Sequence, residues 1–411
     1  MPPPFRADQI GSLMRPDKLL STLSGNDTPL SLQSTLRNQI YYSTEPLAEE
    51  SESILNAATT EVVRKQQELG IKPITSGEYG RVVFFSGFFE HLEGMRIDRS
   101  ISVLSGCRQG NPFIDFLKRI NAPYLESVVA VGPICNGSKS QYLAEWQRLR
   151  HCLPEEQWKY CKMTVPAITW QHIHLAPGTV FTAQSGYTDD NAYFKDLSVA
   201  MANEWSLLYE AGLRNIQVDD PGLAYFLSDD MHTGCLEQGI DPEFLLDQYI
   251  WAHNLVLAKR PQDLHAGVHL CRGNLPDSVS LTAASYERIS RKIFTQLDYD
   301  TFYLEYDSDK AGGFSPLRHV PEGKNVVLGL ISTKSPDMEN VEELIGRVYK
   351  AADVIASGQG RSREEVLDSL AISPQCGFSS NSAGSGKGMT VDRMWQKLQL
   401  VQEVAGRIWG C

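Results

Sequence analysis

The chain has 411 residues, 42% of them hydrophobic, enough for one barrel-sized core or two to three smaller ones. Its formal charge of −12 and pI near 5.3 argue against a nucleic-acid binder, so an anionic substrate would need a local basic pocket. Eight scattered cysteines without a CxxC pair, no apolar leader after Met1-Pro2-Pro3-Pro4, and no apolar run of membrane length point to a cytoplasmic protein with reduced thiols and no membrane contact.

Short apolar or β-branched runs recur along the chain. They are Phe5 to Gln9, Lys72 to Thr75, Lys162 to Val165, Asn215 to Val218, Ala266 to Leu270, Phe302 to Leu304, Val326 to Ile331 and Leu370 to Ser373. Each ends in polar or Gly/Pro residues and leads into a longer amphipathic stretch. Leu197 to Gly212, Phe244 to Lys259, Ala284 to Thr295 and Val341 to Ser357 carry apolar residues at helical spacing. Arg363 to Leu370 reads as a shorter helix, with Ser362 and Glu365 spaced as a capping box. Eight strand–helix alternations predict an α/β fold, a (β/α)₈ TIM barrel formed by a single domain over residues 1–411.

Residues 85–160 break this rhythm. Their two extra apolar runs, Ile101 to Leu104 and Ser127 to Ile134, predict an insertion after the second strand, folded as a hairpin over the barrel mouth. The Gly/Ser-rich stretch from Ser379 to Gly388 reads as a mobile lid.

In a barrel, catalytic groups come from the C-terminal ends of different strands. Those ends hold His269, Cys271, Glu305 and Cys376 in the later strands, one nitrogen, two sulfurs and one oxygen, a set that suits Zn²⁺. His269 and Cys271 are two residues apart, so an extended backbone points both the same way. Taken singly, each has a plainer reading: Cys376 as a small buried hydrophobe, Glu305 as a loop carboxylate. The earlier strand ends hold Ser12, Glu78 and Asp219, where carboxylates can hold an amino group. Asp219-Asp220-Pro221 also fits a helix cap and turn. His172 and His174 beside Trp170 suit core positions better than a second metal site.

The ordered set Ile10-Gly11-Ser12, Ser76-Gly77-Glu78, Val218-Asp219-Asp220-Pro221, His269-Leu270-Cys271, Glu305, Gly329 to Pro336 and Pro374-Gln375-Cys376-Gly377 resembles the catalytic barrel of cobalamin-independent methionine synthase, including short single-barrel members. The resemblance spans nearly the whole chain. It implies a (β/α)₈ barrel with Zn²⁺ on His269, Cys271, Glu305 and Cys376. It also implies homocysteine held at its amino-acid end by Ser12, Glu78 and Asp219 with the backbone at Ile10 and Gly11, and a methylfolate as methyl donor. The donor side departs from the family. Lys334 stands where the family's proton-donating histidine is expected, Tyr225 lies near an expected glutamate, and the N-terminal barrel of the long enzymes is missing. Two rival readings follow: a zinc alkyltransferase with another thiol or alkyl donor, and a barrel lyase related to uroporphyrinogen decarboxylase.

Overall fold

A computed structural model describes residues 2–24, 41–275, 279–379 and 386–410. Its strands, in chain order, are β1 (Glu93–Ser102), β2 (Tyr124–Cys135), β3 (Met163–Pro166), β4 (Asn215–Asp219), β5 (His265–Leu270), β6 (Thr301–Glu305), β7 (Asn325–Ile331) and β8 (Leu370–Pro374). Strands β3 to β8 form one parallel sheet in sequential order. Each is four to seven residues long and buried along nearly its whole length. Continuous burial is what a parallel sheet covered on both faces demands.

The first two predicted strands are present as extended segments held by single bridges. Ala7 pairs in parallel with Ile372 of β8, Ser12 with Gly77, and Ile74 with Cys161 just before β3. Asp8 N donates to Ile372 O at 2.8 Å, and Lys162 N donates to Ile74 O at 3.1 Å. The segments 5–13 and 71–77 therefore bridge β8 back to β3 and close the eight-stave (β/α)₈ barrel. They fail to form continuous ladders because Pro73 has no N–H to donate and the backbone turns sharply at Gly11 (φ +133°) and Gly77 (φ +69°).

The barrel interior is partly polar. Lys162 Nζ donates to Asp8 Oδ1 at 2.6 Å and Gln217 Oε1 at 2.8 Å, and Tyr303 Oη donates to Asp8 Oδ2 at 3.0 Å. A buried ion pair is costly unless its remaining positions are bonded, and here they are. Ile10, Tyr303, Val327 and Ala371 fill the space beside it. Gly267 is needed on this inward face: a Cβ there would lie 2.5 Å from the Tyr303 ring.

The predicted helices are present with adjusted ends: Asp190–Glu210, Pro242–Leu257, Glu287–Gln296, Val341–Gln359 and Arg363–Leu367. The capping box of Ser362 and Glu365 is formed. Leu370, claimed by both that last helix and the last apolar run, begins β8 as the run indicates.

The inserted region forms an antiparallel pair, β1 with β2, but its strands start earlier than the apolar runs indicate, and the helix Pro112–Arg119 sits in the connection between them. Gln171 fastens the pair above the end of β3: its Oε1 accepts from Ser127 Oγ at 2.5 Å and Val128 N at 3.0 Å. The helix Gln141–His151, within the expected insertion, packs between Glu49–Glu68 and Asp190–Glu210, in the ring of barrel helices. Of the Ser379 to Gly388 stretch expected as a lid, residues 380–385 lie outside the described residues. Among the described residues, no helix is long and apolar enough to cross a membrane.

Candidate metal centre and the pocket above it

Strands β5, β6 and β8 each deliver ligand-type side chains at or just beyond their C-terminal ends: His269 and Cys271, Glu305, and Cys376. One donor atom from each lies within 4.8 Å of the others. His269, Glu305 and Cys376 are buried, and Cys271 is partly exposed. The two sulfurs stand 3.6 Å apart, and His269 Nε2 stands 3.6 Å from Glu305 Oε1. Tetrahedral zinc with bonds of about 2.0–2.3 Å separates its ligand atoms by roughly 3.3–3.8 Å. The four residues therefore fit Zn²⁺ in both chemistry and spacing.

The surroundings orient these groups. His269 Nδ1 lies 3.1 Å from Asp219 Oδ1, which in turn accepts from Gln217 Nε2 at 2.7 Å. A carboxylate on one ring nitrogen is the usual support of a metal-binding histidine; the other nitrogen, Nε2, lies 3.6 Å from Glu305 Oε1 and 3.2 Å from the Gln375 carbonyl oxygen. Glu305 Oε1 accepts from Arg272 N at 2.8 Å, and its Oε2 lies 3.7 Å from Lys334 Nζ. Burial alone would raise the Glu305 pKa, but Lys334, His269 and that backbone donor hold it below the ordinary carboxylate range. Burial would depress His269, yet its bonds to Asp219 and Glu305 and the nearby Cys376 thiol raise it to about 10. The site thus attracts positive charge. Cys271 is pushed well above its ordinary value, first by its contact with Cys376 and then by burial.

A pocket open to solvent lies over this cluster, and Ile10, Ser12, Glu78, Asp219, His269, Cys271 and Cys376 all line it. Glu78 occupies a left-handed backbone conformation at φ +58°, uncommon for a side chain of its size and a mark of functional strain. Its Oε1 accepts from Thr164 Oγ1 at 2.6 Å, while its buried Oε2 has no hydrogen-bond partner. Burial, only partly offset by Arg81, raises its pKa to about 7. Ser12 Oγ accepts from Ser379 N at 3.4 Å and packs so tightly on Gly377 that a Cβ there would lie 1.9 Å from it. The Ile10 carbonyl faces Gln217 Nε2 at 2.8 Å.

Lys334 does not line this pocket. Besides Glu305 it donates to Ser280 Oγ at 2.9 Å, and the neighbouring acids raise its pKa against the effect of burial. Asp220 caps the helix Pro221–Tyr225 through Leu223 N at 3.1 Å and bonds His253 Nε2 at 2.8 Å, so only the first Asp of the pair faces the pocket. His172 and His174 are buried outside the pocket. His172 Nδ1 bonds Tyr249 Oη at 2.8 Å, and neither residue belongs to a metal-type cluster among the described residues.

The upper wall is aromatic, and most of it is not marked by any motif: Tyr41, Phe84, Phe85, Phe113, Trp170 and Tyr225. Trp170 stacks on Phe85 at 4.5 Å. These rings come from the segment before the second stave, the stretches after the second and third staves, the insertion and the helix after β4, so nothing in local sequence links them. Gln217 was findable, since it shares the inward face of β4 with Asp219.

Residues 174–396 match the profile of the family described as "Cobalamin-independent synthase, Catalytic domain". The chain is 30% identical over 417 residues to the Uncharacterized protein YxjG of Bacillus subtilis (strain 168), covering 99% of this chain and 95% of that one. It is 20% identical over 322 residues to the 5-methyltetrahydropteroyltriglutamate–homocysteine methyltransferase of Bacillus cereus (strain G9842), covering 74% of this chain but 34% of that protein. Two solved structures share the fold. The putative vitamin-B12-independent methionine synthase from Listeria monocytogenes has a TM-score of 0.68 and 24% identity, with 100% of both chains covered. The B12-independent methionine synthase from Shewanella sp. W3-18-1, in complex with selenomethionine, has a TM-score of 0.65 and 18% identity, with 97% and 96% covered.

Proposed function

The chain belongs to the cobalamin-independent synthase family, a family of methyltransferases with the methionine synthase barrel, and on that footing we propose that it is a zinc-dependent thiol S-methyltransferase whose acceptor is homocysteine. The observation that carries this reading is the four-donor cluster with Asp219 behind His269. A Zn²⁺ ion on these residues would lower the pKa of an acceptor thiol, so that it is held as the nucleophilic thiolate near neutral pH.

The chain's own residues supply the rest. Cys271 and Cys376 line the pocket, so an acceptor sulfur entering it can reach the cluster. Glu78 Oε2, buried and unpartnered, offers an acceptor to an ammonium group, and amine binding would relieve that cost. Ser12 and the backbone at Ile10 and Gly11 border the same pocket end. The lyase rival would want arginines for substrate carboxylates, and none lines the pocket among the described residues.

A methylfolate is the donor implied by the resemblance. The second reading, another alkyl donor, is favoured by the same lining: it contains neither Lys nor Arg among the described residues, and Lys334 lies beside Glu305 outside the cavity. The test is metal content followed by thiol titration. The zinc is counted and replaced by Co²⁺, and the sulfur-to-metal charge-transfer band is followed as thiols are added. About one metal per chain and a band perturbed most by homocysteine is the expected result. Absence of metal, or indifference to every thiol, refutes the proposal.

A further inference from the structure

We propose that the methyl group taken up by this pocket is carried on an onium centre, a methylsulfonium or a quaternary methylammonium; this rests on the thiol-methyltransferase reading above. Three features of the pocket converge on that class. Its upper wall presents six aromatic rings, among them Trp170, Phe85, Phe113 and Tyr225, and ring faces attract cations. Besides the phenols of Tyr41 and Tyr225, its ionisable lining among the described residues consists of Glu78, Asp219, His269 and the two thiols, with no fixed positive charge from Lys or Arg. Arg81, 3.8 Å from Glu78 Oε1, and Lys334, 3.7 Å from Glu305 Oε2, stand outside it. Finally, the phenol oxygens of Tyr41 and Tyr225 are buried, line the pocket and have no hydrogen-bond partner. The methyl C–H groups of an onium carry partial positive charge and are suitable neighbours for such lone pairs.

The chemistry of the leaving group agrees. The acceptor thiolate gives a sulfur lone pair to the methyl carbon, forming a new S–CH₃ bond. The bond from that carbon to the positive heteroatom breaks, and its electron pair goes to the heteroatom. One negative and one positive charge become a neutral thioether and a neutral thioether or amine, and no proton moves. A neutral tertiary amine donor would leave as an amide anion and would need a proton at the same moment. Lys334, the residue in the expected donor position, is held by Glu305 and Ser280 outside the cavity.

The test uses the full-length, zinc-loaded protein. Choline and its uncharged isostere 3,3-dimethylbutan-1-ol are titrated calorimetrically, and trideuteromethyl-labelled trimethylsulfonium is incubated with homocysteine while labelled methionine is followed by mass spectrometry. The expected result is choline binding about ten-fold or more tighter than the isostere, with label entering methionine. Trp170→Leu should weaken choline by about 2- to 30-fold while leaving the isostere within two-fold. Phe113→Leu serves the same purpose if Trp170→Leu does not fold. Equal binding of choline and isostere overturns the inference, as does methyl transfer from 5-methyltetrahydrofolate with no transfer from any onium compound. The two failures separate cleanly. A Co²⁺ band that responds to homocysteine without onium binding sinks only this inference. A band that ignores every thiol sinks the thiol-transfer reading and this inference with it.

Discussion

Asp219 separates two roles that its position allows, and substitution distinguishes them. Its Oδ1 lies 3.1 Å from His269 Nδ1 and 2.7 Å from Gln217 Nε2, so its charge supports the imidazole from behind. Asp219→Asn can keep the hydrogen bond but loses the charge. Charge-assisted bonds are about twice as strong as neutral ones, which puts the loss at roughly 1–1.5 kcal/mol, or about ten-fold in zinc affinity. Asp219→Ala leaves a buried N–H without a partner, worth up to about 3 kcal/mol, so its loss moves toward 100-fold. The assay is competition for zinc against a chelating dye at fixed pH and ionic strength, with thermal unfolding as a check on folding. A zinc affinity within two-fold of wild type in Asp219→Ala would refute a role through His269. Zinc affinity unchanged with homocysteine binding weakened would instead assign Asp219 to the acceptor's amino group.

His269→Ala and Cys376→Ser are expected to lose the metal while keeping the circular dichroism of the fold; one equivalent of zinc in both variants would remove them from the ligand set. Glu78 has a folded-state pKa of about 7 against an ordinary 4.5, so the native state binds more protons between those values. Its contribution is fully favourable below pH 4.5 and is lost as pH rises through 7, by up to roughly 3 kcal/mol. Glu78→Gln should therefore raise the melting temperature at pH 8 while raising the KM for homocysteine, and an unaltered pH–stability profile would contradict this. His269 without metal is raised to about 10 from 6.5, so the stability it gives is present below pH 6.5 and lost as pH rises through 10. Zinc must displace that proton, so its affinity should tighten from pH 6.5 to 8.5, and pH-independent binding would count against the donor set. Gly377→Ala drives a methyl group into Ser12 Oγ and is expected to raise the KM for homocysteine; unchanged kinetics would show that Ser12 does not hold the acceptor.

The parts of this protein most legible in sequence were those that depend on local periodicity. Eight apolar runs mark eight staves because each must be buried on both faces, and that pattern survives whether or not a ladder forms. The run from Phe5 to Gln9 marks its stave correctly even though Ala7–Ile372 is its only bridge to β8. The bounds of β1 were not legible, since Glu93–Ser102 is half-exposed along its length and carries a mixed surface that no apolar run marks. The ligand-type residues were legible as residue types at strand ends, because a barrel directs those ends to one place. Their mutual distances and the Asp219 support behind His269 depend on strand register, which sequence does not specify.

The aromatic wall was the least legible feature, and it bears most on donor choice. The four-donor cluster sits where the barrel brings the ends of β5, β6 and β8 together, and in the proposed reaction it is the part that activates the acceptor sulfur. The wall above it is assembled from Tyr41 before the second stave, Phe84 and Phe85 after it, Phe113 in the insertion, and Trp170 and Tyr225 in loops after β3 and β4. Such loops vary without disturbing the staves beneath them. Ser12, on the first stave, and Glu78, just past the second, line the same pocket as the wall, and Glu78 carries the strained backbone. On the proposed reading the division follows: the barrel's strand ends act on the acceptor, and the loops choose the methyl donor. Exchanging wall residues should therefore change donor preference while leaving zinc content and homocysteine binding intact.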